Sequence, residues 1–454
     1  MVTMRQDMED VAEKAVQYAL KLGASDCDAV ACESKFNVAE IEKSSVKQAS
    51  SVATFGIGVR TFVKGCAGFS SGTGMDGRSM RRVVELSVSQ AEGGTSDPDF
   101  KGLPPKKRPS KVRGLFDPRI ARLTSGDVVE MAIALTDSAS TDPRVTSVNA
   151  GVAVGTGTAS LANSEGFIAS QILSSFELSA EAVAKSGTVM FSGTDGGSSR
   201  QYVPEMIDQI GASAQKSAIR GLKSTKLKTG DYPVILDPFA AGLILGAAIG
   251  GGANAESVQR GRSFLGGKLG KTIGSDMLTV VDDPTLDWCT GSYSFDGEGV
   301  PGRRNPIINE GVLRSYLHDS YTARKDSVEN TGNSSRGSSQ WSFRRPPSIS
   351  SSNLVVSPGR SSPDEMIRET KKGVYFRVSY DHPNLATGEF SALMMESYLI
   401  ERGELGDSLR QSTMGLGLVD LFSRIDMLGK ESRDMFGVRT PHMRISRARI
   451  AGSA

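Results

Sequence analysis

CDAVACESKFNVAEIEKSSVKQASSVATFGIGVRTFVKGCAGFSS, residues 27–71, is the stretch whose reading decides the fold. Its pieces CDAVACES, FNVAEIEKSSV, TFGIGVRTFV and CAGFSS alternate apolar with polar side chains and are broken by glycines, the period-two pattern of a run of antiparallel strands. Just upstream, Val11, Ala12, Ala15, Val16, Tyr18, Ala19 and Leu22 recur at helical spacing, and Gly23 stands where a C-terminal glycine ends a helix. A helix laid over a curved sheet is the packing that buries both apolar faces, so the predicted fold class is α+β.

Outward from that segment, Arg78 to Ala91 returns to helical spacing and is followed by a polar, proline-rich connector from Gly93 to Pro118. The connector carries PPKKRPSKVR, with Lys106, Lys107, Arg108, Lys111 and Arg113 close together and Arg119 nearby. A charge run of this kind reads as a solvated linker. Gly126 to Ser138 is another predicted helix, Thr146 to Ala184 a pair of long strands turning at Asn163 to Gly166, and Glu205 to Leu222 a further helix. The charged stretch KSTKLKTGDYP then marks a boundary: residues 1–225 are expected to form an N-terminal α+β domain and residues 226–454 a predominantly β C-terminal domain. The second half opens with the strand PVILDP and an apolar helix from Phe239 to Gly250. Strand-like pieces follow in MLTVVDD, GSYSFDGEGVP, PIINEGVLRSYLHD, NLVVSPG, VYFRVSY, EFSALMMESYLIERGE and HMRISRARI. Between Asn330 and Ser352, NTGNSSRGSSQWSFRRPPSISS is poor in apolar residues and is predicted to be a long surface loop.

The bulk properties set limits on partners. A chain of 454 residues is longer than one core usually organises. Its formal charge of +2 excludes a whole-protein field that would steer it to nucleic acid or anionic lipid. The apolar stretch FAAGLILGAAIG is far shorter than the roughly 20 residues a membrane span needs, so no membrane association is expected. MVTMRQDMEDVAEKAV has no apolar signal core, and Cys27, Cys32, Cys66 and Cys289 share no C-x-x-C spacing, which together point to a reducing cytoplasm.

Chemistry has few places to sit. His318, His382 and His442 are widely separated and none is paired at helical spacing, the usual sign of a zinc site. There is no G-x-S-x-G elbow and no Walker A sequence, and GAAIGGGANAE lacks the G-K-[ST] end of a phosphate loop. The remaining candidates are Asp282, Asp283, Asp296 and Glu298, which stand near strand ends and could line a cleft. The competing reading is turn formation, because DGEGVPG combines Asp, Gly and Pro in the proportions of tight turns.

The ordered series TGDYPVILDP, RGRSFLGGKLG, TVVDD, DGEGVPG, INEGVLRSYLHD, TGN and GEFSALMMESYLIERGEL, with FGIGVRTFVKGCAGFSS and NSEG in the first half, resembles the TldD/PmbA family, formerly described as modulators of DNA gyrase. No one of these motifs is diagnostic alone, and the ordered set covers nearly the whole chain. The resemblance implies a peptidase family whose catalytic members carry H-E-x-x-x-H, two zinc-binding His and a general-base Glu, with a Cys near the C-terminus completing the ligands. Counted back from Arg260 and Gly261, that hexapeptide falls on Gly246 to Gly251, which reads GAAIGG here. Gly246 and Gly251 stand in the His positions and Ala247 in the Glu position, and no cysteine follows Cys289. The chain is therefore similar to the metal-free, PmbA/TldE-like members. The resemblance implies no catalytic residue and no metal in this chain, zinc in a TldD-type partner, assembly as a heterodimer with that partner or as a homodimer, and unfolded or small peptides, leader peptides among them, as substrates.

Two other functions compete. A regulatory protein acting on DNA or a topoisomerase has only the basic connector in its favour, so nucleic acid is not an expected partner. A peptidase working alone through Asp282, Asp283, Asp296 or Glu298 lacks a positioned His.

Overall fold

The computed structural model describes residues 2–74, 76–337, 341–435 and 437–452. Its first half is a six-stranded antiparallel sheet of β1 (Asp26–Glu42), β2 (Ser45–Val63), β3 (Cys66–Thr73), β4 (Val145–Asn163), β5 (Ile168–Ser186) and β6 (Val189–Ser199), in the order β3-β2-β1-β4-β5-β6. Four helices, α1 (Val2–Lys21), α2 (Gly77–Glu92), α3 (Ser125–Ser138) and α4 (Glu205–Gly221), pack on one face of it. Side-chain parity explains why. Ala29, Ala31, Ala39 and Ile41 of β1 meet the helices, as do Val148, Ala150, Val152, Val154 and Ala162 of β4. Residues one step out of phase, Val30, Cys32, Ala159 and Leu161, point to the other face and pack against Phe167, Phe295 and Phe343. The second half of the chain thus covers one end of that face.

The remainder builds a thirteen-stranded mixed sheet. Its long C-terminal strand Val438–Ala451 pairs antiparallel with Gly230–Leu236 and parallel with Leu354–Val356, and Gly230–Leu236 pairs parallel with Lys372–Val378. The first strand after α4, Ser224–Thr225, already belongs to this second sheet. The α+β class is thus the observed one.

Several local expectations change. Within GSYSFDGEGVP there is no strand, only the single bridge Phe295 to Pro301, because the acidic and glycine residues fold into consecutive turns. The predicted surface loop at 331–352 is largely buried: Thr331, Asn333, Ser334 and Arg336 are each no more than 3% exposed. Asn333 and Arg336 find internal carboxylate partners instead of water; residues 338–340 of that stretch lie outside the described residues. The connector is irregular and its five lysines and arginines from Lys106 to Arg113 are exposed, yet its ends are pinned. Arg324 donates to the carbonyls of Gly102 and Leu103, and Ser110 donates to the Gly302 carbonyl at 2.6 Å.

Candidate functional site

Asp237 and Pro238 begin the helix that carries the motif positions. The Asp237 carboxylate accepts from the Phe239 amide at 2.9 Å, and Pro at the first helical position needs no donor. The helix α5 (Pro238–Leu245) is apolar nearly all round and is buried accordingly. At Gly246–Gly251 the hydrogen-bonding widens into a π-helical turn, which inserts a residue into the helical ladder and is a feature often found at functional sites. Gly246, Ala247 and Gly251 are half-buried on this turn, and Ala248, Ile249 and Gly250 are buried. There is little room for larger side chains. A Cβ added at Gly246 would lie 3.1 Å from Val438 Cγ2, one at Gly250 2.8 Å from Ser351 Oγ, and one at Gly251 2.5 Å from Leu385 Cδ1.

Next to the turn is a cavity of about 500 Å3 whose walls include Ser351 and Gly437, together with Tyr293, Asp296, Ser334 and Trp341. Ser334 is 2% exposed and its hydroxyl has no hydrogen-bond partner among the described residues. Arg200, on the same wall, spends its guanidinium on the carbonyls of Ser174, Cys289, Thr290 and Ser292. Burial pulls its pKa down to about 10.

Of the four candidate carboxylates, Asp296 faces this cavity, whereas Asp282, Asp283 and Glu298 are not on its walls. All four are buried and each is held by specific donors. Asp282 accepts from Asn333 Nδ2 and the Ser352 amide, both at 2.6 Å, and burial pushes it up to about 6. Asp283 accepts from the amide and hydroxyl of Thr285 at 2.8 and 2.6 Å. Asp296 closes the DGEGVPG turns by accepting from the amides of Glu298, Val300 and Ser334 at 2.9, 2.9 and 3.0 Å. Burial, reinforced by the neighbouring Glu298, raises its pKa.

Glu298 belongs to an ion network that crosses between the halves and that sequence reading missed. Arg60 of β2 binds both Asp28 of β1, at 2.5 Å, and Glu298, at 2.9 Å, and Glu298 also accepts from the Ser320 amide at 3.0 Å. Arg336, fully buried, binds the other oxygen of Asp28 and the Gly297 carbonyl. The available signal was Asp28 itself, a charge at a strand position whose neighbours of the same parity, Val30 and Cys32, are apolar.

The histidines have other work or none. His442 Nε2 lies 3.0 Å from Tyr375 Oη, which donates to Asp237 Oδ2 at 2.7 Å, so this group braces the cap of α5. His318 is buried and its pKa is lowered by burial; His382 is exposed. Cys289 lies beside Arg439 Nη2 at 3.1 Å, and burial pushes its thiol up to about 11. Among the described residues no three His, Cys, Asp or Glu side chains are placed to hold a metal ion. Zinc needs imidazole, thiolate or carboxylate donors, and glycine and alanine at 246, 247 and 251 offer none, so the residues present do not fit it.

Comparison with known proteins follows the same outline. Family models described as PmbA/TldA metallopeptidase domain 1, central domain and C-terminal domain match residues 27–91, 118–222 and 229–452. A metalloprotease of Methanocaldococcus jannaschii is 32% identical over 237 residues, 52% of this chain and 51% of that protein, so the chain spans about half the length of that relative. A metalloprotease TldD homolog of Buchnera aphidicola is 27% identical over 409 residues, 86% of this chain and 82% of the other. The crystal structure of TldE from Thermococcus kodakarensis superposes with a TM-score of 0.89 at 21% identity, covering 97% of this chain and 100% of that one, a likeness of fold.

Proposed function

The chain belongs to the PmbA/TldD metallopeptidase family, and from that premise we propose that it is the metal-free, TldE-like subunit of a two-subunit peptidase that degrades unfolded or small peptides. Zinc and the general base are supplied in this reading by a TldD-type partner. The observation that carries it is the set Gly246, Ala247 and Gly251 on the π-helical turn. Where hydrolysis needs a Lewis acid and a base within reach of one water, these positions present methylene and methyl groups, and Leu385 and Val438 fill the space larger side chains would need. With neither a metal ligand nor a base at positions 246, 247 and 251, the role left to this chain is to bind and orient peptide. The setting we assign is the cytoplasm; among the described residues no helix is long and apolar enough to cross a membrane.

The test is reconstitution. An unfolded model polypeptide such as reduced casein is incubated with the chain alone, a TldD-type partner alone, and the two co-expressed. Hydrolysis by the pair, with none by this chain alone even as a homodimer, is the expected result. Turnover by the isolated chain, lost on changing Asp282 or Asp296, would sink the proposal.

A further inference from the structure

The fold brings the basic connector to a second group of arginines that is remote from it in sequence. Of the connector's cations Arg113 pairs with Asp287 at 3.1 Å, whereas Lys106, Lys107 and Arg108 are exposed and have no carboxylate within 4 Å among the described residues. Ser110 fixes where they lie. Its amide donates to the Ser294 carbonyl at 2.9 Å and its hydroxyl to the Gly302 carbonyl at 2.6 Å, and Arg303 and Arg304 follow Gly302 directly.

Arg303 and Arg304 line an open cavity of about 570 Å3 together with Arg314. The hairpin of Asn305–Asn309 with Val312–Leu313 returns Arg314 to this wall, where its amide donates to the Ile307 carbonyl at 2.8 Å. A smaller cavity with Lys107 on its wall adjoins the first through the shared residue Val328. The charge left over is positive. Glu329 is taken by Arg303 at 2.6 Å, which holds its carboxyl below the ordinary range, and Lys107 adds to that effect. The charge of Asp326 falls on His318 and Tyr316. Arg304 and Arg314 are exposed and have no carboxylate within 4 Å among the described residues.

The wall behind these arginines is rigid and polar. Asn305 and Thr331 are 4% and 3% exposed; Asn305 Nδ2 donates to the Thr331 carbonyl at 2.9 Å, and Thr331 Oγ1 to the His318 carbonyl at 3.0 Å. Buried His318 leaves its Nδ1 with no hydrogen-bond partner among the described residues. The same segment backs onto the cavity beside the π-helical turn, since Thr331 lines one cavity and Ser334 the other. Apolar surface flanks the charge: Leu269 and Val328 on these walls are 51% and 48% exposed.

We propose that this cavity docks an acidic segment of the peptide being handled, with side-chain carboxylates on Arg304 and Arg314 and apolar side chains against Leu269 and Val328. Guanidinium groups match carboxylates with paired donors, and Lys106, Lys107 and Arg108 extend the field that draws the segment in. Mixed charge and apolar surface favours peptide over nucleic acid, which binds through phosphate contacts and stacked bases. The ring-bearing side chains on these walls, Tyr316 and His318, are buried. The inference rests on the peptide-handling reading above and names the class of segment that would be held.

The experiment measures binding of the full-length chain to labelled probes by fluorescence anisotropy. One peptide alternates Glu with Val and Leu, a second replaces Glu by Gln, and the third probe is oligothymidylate. The Glu peptide should bind, more weakly as salt rises, and the Gln peptide and oligothymidylate should bind at least roughly tenfold more weakly, the loss of two or more exposed ion pairs. Arg304→Gln with Arg314→Gln should weaken the Glu peptide by roughly fivefold. Neutralising Lys106, Lys107 and Arg108 to Gln should weaken it by roughly twofold and flatten its salt dependence. Arg78→Gln with Arg82→Gln, an equal change of charge on exposed residues of α2, should leave it unaltered. Equal binding of the Glu and Gln peptides, or equal losses in the Arg304/Arg314 and Arg78/Arg82 variants, overturns the proposal. Oligothymidylate binding more tightly than the Glu peptide and weakened by the Arg304/Arg314 variant overturns it in favour of a nucleic-acid interface. A variant that alters sedimentation of the chain and binds the Glu peptide as before overturns it in favour of contact between copies. An inactive reconstituted pair beside intact Glu-peptide binding would remove the peptidase reading and leave the acidic-peptide site; an active pair whose KM for an acidic peptide is the same in the Arg304/Arg314 variant would remove the docking alone.

Discussion

At Gly251 the distance of 2.5 Å between an added Cβ and Leu385 Cδ1 is below any ordinary contact, so this position is fitted to glycine as the turn now packs. Gly251→His is expected to lower stability by about 1–3 kcal/mol through overpacking, read as a fall in the denaturation midpoint; an unchanged midpoint would mean Leu385 yields freely. Asp282 offers a second test. Burial lifts it from 3.8 to about 6, so between about pH 4 and pH 6 the folded chain holds more protons than the unfolded one. Its contribution is therefore unfavourable to folding as pH rises through that window, by about 3 kcal/mol in full. Asp282→Asn should flatten that part of the stability profile measured by urea unfolding, and an identical slope in the variant would contradict it. The turn-forming character of Asp283 and Asp296 was legible in DGEGVPG and its surroundings. The pairing of Asp28 with Arg336 was not, because the partners are 308 residues apart and nothing local marks them.

Among the elements, the long strands were legible because alternation is a local property: Ala29, Ala31, Ile57 and Val59 sit on the helix-covered face as the period requires. The π-helical turn at Gly246–Gly251 was read only as the end of an apolar helix, since its widening depends on packing against Val438, Ser351 and Leu385. The segment from Thr331 to Ser352 misled for a related reason. Low hydrophobicity says that water or internal polar partners will satisfy it, and here Asn333 meets Asp282 and Arg336 meets Asp28. Arg336→Ala strips a buried carboxylate of one of its two guanidinium partners, and the expected loss is about 3–5 kcal/mol. Urea unfolding checks this, and a loss below about 1 kcal/mol would show that water replaces the guanidinium.

For the whole molecule, one parity rule organises the architecture. One face of the first sheet is closed by four helices, and the other is divided between contact with the second half and an open cavity lined by Val38, Glu40, Gly151 and Glu177. The division proposed near residue 225 rests on a change in composition. The contacts between the two halves were not legible, because they are made by Arg60, Arg336, Arg377 and Asp195, each of which looks like a surface charge when read alone. In this account the chain keeps the framework of a metallopeptidase without the groups that would hold its metal. The most direct measurement is zinc content by elemental analysis of the purified chain, alone and in complex with a TldD-type partner. No zinc in the chain alone and one zinc per heterodimer, abolished by changing the partner's motif histidines, is the expected result. Stoichiometric zinc in the isolated chain would contradict it, and replacing Cys289, His318 and His442 in turn would show whether one of them holds it.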